Sequence, residues 1–183
     1  GSEMCIRDRI KKLSKAKALA LDTETDSLDF TVANLVGISL CAKAGEAAYI
    51  PIQHDYEGAP KQLTKKLVIE KLKPLLEKVP VVGQHIKFDR NVLAQHGLEI
   101  NNIASDSMLM SYVLDSTATR HNLDAMAKFY LNYETTTYEE VAGKGVKQIT
   151  FNQVDLEAGS DYAAEDADIT FRCYELLKDK LAE

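Results

Sequence analysis

The sequence predicts one α/β domain: a mixed sheet of about five strands flanked by helices. Three observations lead there. Short apolar runs of strand length crowd the first fifty residues. Helical periodicity takes over from about residue 64. Two further short apolar runs, near 81 and 103, interrupt the helices. A chain of 183 residues suits a single hydrophobic core.

Residues 17–22 read as the first strand. Asn34–Ala42 and Glu46–Ile52 read as two more, joined across Lys43-Ala44-Gly45, so the sheet is expected to open as an antiparallel meander. Thr64 caps a helix running to Glu77, with Leu67, Ile69, Leu72, Leu75 and Leu76 inward. PVVG at 80–83 is a short buried strand, followed by a helix over 87–96 that Gly97 ends. Ile103 and Ala104 fit a brief fifth strand before helices at 106–114 and 122–130. Residues 131–153 are polar and contain Gly and Lys, a loop with a short helix. A helix from Asp155 to Lys180 closes the chain.

Apolar residues at 45% and charged residues at 27% suit a soluble globular protein. No apolar run approaches a membrane span, and GSEMCIRDRIKK has no signal-peptide core. Gly1-Ser2 resembles a cloning remnant, and residues 1–16 are expected to be a tag or non-native leader, with the domain at 17–183. Cys5, Cys41 and Cys173 are odd in number and widely spaced, which points to reduced thiols in the cytoplasm. The net charge of −6 is opposite to that of proteins gripping DNA by its phosphates alone. A nucleic-acid partner would need metal ions between it and an acidic site.

The first strand raises that possibility. In LALDTETDSLDF (19–30), Asp22 and Glu24 stand at i and i+2, on one strand face about 7 Å apart. Like charges that close repel unless a cation intervenes. Asp89 lies about a turn into the helix after PVVG. Tyr162 and Asp166, at i and i+4, share one face of the last helix. Alone, each has a plainer reading: a solvated strand end, a helix N-terminal acid, a core tyrosine, an acidic helix face. Leu28 reads as a core leucine. His54, His96 and His121 show no ligand spacing and read as surface or structural. Lys87, Arg90, Arg120, Lys144 and Lys147 read as solvated, with some able to meet phosphates. Four carboxylates converging from three segments would form the two-cation clamp used for attack on a phosphate.

DTETDSL (22–28), GQHIKFDR (83–90) and YAAED (162–166) resemble, in order, the three motifs of the 3′→5′ proofreading exonuclease domain of bacterial DNA polymerase I. These are the Klenow-type DEDDy exonucleases. The likeness continues through NLVGISL, AAYIPI, AGKG and TFNQ. It implies a ribonuclease-H-like fold, two divalent ions (Mg²⁺ or Mn²⁺, with Zn²⁺ at one site as an option) and single-stranded DNA 3′ ends as substrate. It implies Asp22, Glu24, Asp89 and Asp166 as metal ligands and Tyr162 as the group orienting the attacking water. Leu28, Gln84, His85 and Tyr138 would contact the substrate, Leu28 as a wedge and Tyr138 as a stacking surface. His85 departs from the family's usual Asn. The resemblance also implies a monomeric unit with a polymerase domain after it. The alternatives are a catalytically silent structural or DNA-end-binding domain of a polymerase, and an RNA-trimming relative.

Overall fold

The computed structural model describes residues 3–183; Gly1 and Ser2, read above as a cloning remnant, lie outside the described residues. Five strands form one mixed sheet: β1 (Leu19–Thr25), β2 (Leu35–Cys41), β3 (Ala48–Pro51), β4 (Val81–Gly83) and β5 (Ile103–Asp106). Their order is β3-β2-β1-β4-β5. The first three make the expected antiparallel meander, and β4 and β5 run parallel to β1.

Helices cover both faces. On one lie α1 (Glu3–Leu13), α2 (Lys65–Lys78) and α3 (Ile86–Gln95). Their apolar residues join Leu19, Leu21, Leu35, Ile38 and Leu40 in the main core. Thr64 caps α2 by accepting from the Leu67 amide at 3.3 Å. Val68, not Leu67, is the fully buried residue of its first turn. Gly97, at φ 86°, supplies the left-handed residue that stops α3. On the other face α7 (Leu156–Ala182) lies across β1, β2 and β3. Buried Gly159, Ala163 and Ala167 recur every four residues, so the helix meets the sheet through its smallest side chains. α4 (Ser107–Leu114) and α5 (Leu123–Leu131) pack beside α7. The 131–153 loop contains α6 (Tyr138–Ala142) and two single 3₁₀ turns.

The structured part begins earlier than residue 17. α1 occupies most of the segment expected to be a leader, and Ile6 and Leu13 are buried in the main core with Ile10 packed against it. Apolar residues at 6, 10 and 13 give an otherwise charged helix a face for α2. β1 also exceeds its expected end at 22 and runs to Thr25, because α7 covers the acids that looked like a strand boundary.

Candidate active site

Strand alternation brings two acids under α7. Leu19 and Leu21 enter the core beneath α1–α3, while Ala20 packs on Ala167 and Phe171 of α7. Asp22 and Glu24 follow Ala20 to the α7 side. The β1–β2 register then shifts between Glu24 and Thr25, a bulge that ends regular pairing beside the acids. Asp166 descends from α7. Carboxylate oxygens of Asp22, Glu24 and Asp166 all lie within 4.8 Å of one another. Glu24 is buried, and Asp22 and Asp166 are half-buried.

Asp89 stands beside this trio, outside the 4.8 Å group, for a reason set by strand length. β4 pairs with β1 only at Leu19 and Ala20 and stops at Gly83. The Thr23 amide beyond it donates to buried Asp89 Oδ1 at 2.9 Å, and the Thr23 hydroxyl donates to the same oxygen.

The electrostatics are those of acids without cations. Burial, then the charge of Asp166, holds Asp22 well above the usual carboxylate range. Glu24 is raised by burial, then by Asp22, Asp166 and Asp89. Asp89 is raised by burial and then by Asp22. Asp166 is pushed up to about 8 by burial, then by Asp124 and Glu165. Among the described residues, none of the four forms an ion pair with Lys or Arg. An all-carboxylate donor set of this kind fits a hard divalent cation such as Mg²⁺ or Mn²⁺. Tyr162 is also raised, by burial first and then by Asp166, Glu24 and Asp22, so it stays a neutral phenol.

Two hollows that share Thr23, Leu28 and Phe88 open over the acids. One, of about 450 Å³, is lined by Glu24, Leu28, Phe88, Tyr138 and Ile149 among others. The other, of about 380 Å³, is lined by Asp22, Leu28, Gln84, His85, Phe88 and Asp89 with Thr23. Leu28 stands between them, 95% exposed, and is no core leucine. The Tyr138 ring stacks on Phe151 at 6.4 Å and meets Tyr162 edge-on at 6.0 Å.

His85 is exposed and left-handed, φ 55°, a region where Asn, Asp and His are the commonest residues after glycine. The backbone therefore accepts His at this position as readily as Asn. Gln84 faces the smaller hollow with its amide engaged: Nε2 donates to the His121 carbonyl at 2.8 Å and Oε1 accepts from the Ser107 hydroxyl at 2.6 Å. His54 and His121 are buried and structural. His54 Nδ1 meets the Val154 carbonyl and Nε2 the Tyr49 hydroxyl; His121 lies between the Ser116 carbonyl and the Ser111 hydroxyl. Thr23, Phe88 and Ile149 escaped the sequence reading. Phe88 had a signal, an aromatic residue directly before the motif acid.

Comparison with known proteins agrees with this geometry. The model of a family described as 3′–5′ exonuclease matches residues 3–182. DNA polymerase I of Pseudomonas aeruginosa is 51% identical over 176 residues, covering 94% of this chain and 19% of that protein. The chain spans roughly a fifth of the length of the curated relatives it matches. Among solved structures, Brucella melitensis NrnC with bound Mg²⁺ is similar at a TM-score of 0.67 and 21% identity, covering 92% of this chain and 75% of that one. Escherichia coli RNase D is similar at 0.66 and 15% identity, covering 99% and 44%. These likenesses place the sheet and its helices among ribonuclease-H-like folds.

Proposed function

The chain belongs to the 3′–5′ exonuclease family, and from that premise we propose that it hydrolyses the last phosphodiester of single-stranded or frayed DNA 3′ ends, releasing 5′-mononucleotides. The observation that carries this reading is the convergence of Asp22, Glu24 and Asp166 within 4.8 Å, with every one held above its usual pKa. Such a cluster stores repulsion that a divalent cation relieves. Asp22, Glu24 and Asp166 would hold one ion, and Asp22 with Asp89 a second. When bound, the pair would acidify the attacking water and neutralise the departing 3′ oxygen.

The chain's own groups do the positioning. Burial holds the Tyr162 phenol above its ordinary value, so its hydroxyl orients water and does not act as a base. Exposed Leu28 offers an apolar edge for the terminal base, and Tyr138 offers a ring face for stacking. Gln84 and His85 border the hollow on the Asp89 side. Preference for unstacked bases accords with the acidic net charge. The likeness to DNA polymerase I of Pseudomonas aeruginosa supports DNA as substrate and a proofreading role beside a polymerase domain.

A 5′-labelled single strand incubated with Mg²⁺ tests this. It should shorten stepwise from its 3′ end, remain intact in EDTA, and outpace both a blunt duplex and an RNA strand of the same sequence. Intact DNA in Mg²⁺, or equal rates on RNA, would overturn the proposal.

A further inference from the structure

Glu165 adjoins Asp166 in α7, yet its carboxylate is turned to a different task. Oε1 accepts from the Thr136 amide at 2.6 Å, and Oε2 accepts from the Tyr133 hydroxyl at 2.9 Å. Asp124 of α5 accepts from the Thr135 hydroxyl at 2.6 Å. The segment between α5 and α6 is thus tied at three positions to the two helices beside it. Thr137 then starts α6 with a capping box to Glu140, and Tyr138 is the first residue of that helix. Thr136, held by Glu165, precedes Tyr138 by two residues. The Tyr138 ring in turn borders the larger hollow and touches Tyr162 edge-on.

We propose that Glu165 is a positioning residue that keeps the Tyr138 wall of the groove in register with Asp166 and Tyr162. The inference rests on the exonuclease reading above, in which Tyr138 meets an unstacked base. A carboxylate can accept both bonds at once, and charge-assisted bonds are the stronger kind. α7 is a 27-residue helix spanning the sheet, whereas residues 132–137 form a short connection. Glu165 is therefore the point where the connection inherits the rigidity of the helix that carries Asp166. Loss of that tie leaves α6 its own cap and its apolar packing on α7, but frees the connection that leads into Tyr138. The cost falls on holding the base, and so on KM, with hydrolysis of a correctly seated end little changed.

Glu165 also bears charge beside Asp166, and Glu165→Gln separates the two effects. The amide oxygen can still accept from Thr136, and the amide nitrogen can donate to the Tyr133 oxygen, so the tie survives while the charge goes. Steady-state cleavage of a single strand in Mg²⁺ is the test. Glu165→Ala should raise KM on the order of tenfold, with kcat within about twofold of the parent. Glu165→Gln should restore the parent KM. On a Tyr138→Ala background, Glu165→Ala should add less than about twofold, because the two act through one contact. A parent-like KM in Glu165→Ala, equal losses in the Ala and Gln variants, or full additivity with Tyr138→Ala would each overturn the proposal. Should Glu165→Ala fail to melt cooperatively, Tyr133→Phe removes half the tie, and an unchanged KM there overturns it as well. A parent that cleaves no strand defeats the exonuclease reading and the positioning role together; an active parent with an unaffected Ala variant defeats the positioning role alone.

Discussion

Asp22 and Asp106 are strand acids of one sheet, and the fold treats them in opposite ways. Asp106, at the end of β5, is buried and accepts from three backbone amides: His85 at 2.9 Å, Ile86 at 3.0 Å and Met108 at 3.0 Å. Those amides belong to the first turns of α3 and α4, where helices have donors without intrahelical partners. Asp22 meets Glu24 and Asp166 instead, and its carboxyl is raised by burial and then by Asp166. A buried acid whose donors come from the fold is part of the frame. One whose neighbours are further acids marks a place for a cation from outside.

Substituting each acid should break the molecule in different ways. Asp22→Ala is expected to abolish nearly all cleavage, a loss of 10³-fold or more on the order of an electrostatic catalytic group. Its metal-free melting temperature should hold or rise slightly, since one repelling carboxylate is gone. Cleavage near the parent rate would end the metal-site account of β1.

The metal-free protein should also show the repulsion as a pH dependence. Asp166 moves from an ordinary value of 3.8 to about 8 in the fold, so the folded state binds more protons than the unfolded state between those limits. Stability must then fall as pH rises through that window. Mg²⁺ should restore it, with a larger gain in melting temperature at pH 8 than at pH 5, because protons and cations compete for the same oxygens. Thermal melts across pH with and without Mg²⁺ check both; a flat Mg²⁺ effect would contradict the raised carboxylates.

Asp106→Asn should do the reverse of Asp22→Ala. It leaves two amide acceptor directions for three donors and introduces an NH₂ among them, a destabilisation of about 2–4 kcal/mol. Denaturant melts would show it, while cleavage per folded molecule stays close to the parent. The smallest effect is expected for Tyr162→Phe. Removing one orienting hydroxyl should lower kcat about 10–100-fold, and the pH–rate profile should lose no ionisation, since the phenol is already raised beyond working pH. A lost ionisation would make Tyr162 a base after all.

Much of this contrast was legible from residues alone. The i, i+2 acids of β1, the acid after PVVG and the Tyr162/Asp166 pair are local patterns, and the three motifs order them. The cap at Thr64 and the stop at Gly97 were readable for the same reason. Tertiary decisions were not. Whether Asp22 ends its strand depends on α7, more than a hundred residues away. That Gln84 spends its amide on Ser107 and His121 depends on how α4 and α5 pack. Helix α1 was missed because charge dominates EMCIRDRIKKL, although Ile6, Ile10 and Leu13 mark its inner face. Asp106 drew no notice as a frame acid, since its three donors sit 2 to 21 residues away along the chain.

Asp22, and not Asp106, should belong to a cation site. A Mn²⁺ titration at pH 8, read by electron paramagnetic resonance of the free ion, tests it most directly on the parent, Asp22→Ala and Asp106→Asn proteins. Two ions per chain should bind in the parent and in Asp106→Asn, and both should be lost in Asp22→Ala. No binding by the folded parent, or undiminished binding by Asp22→Ala, would contradict it.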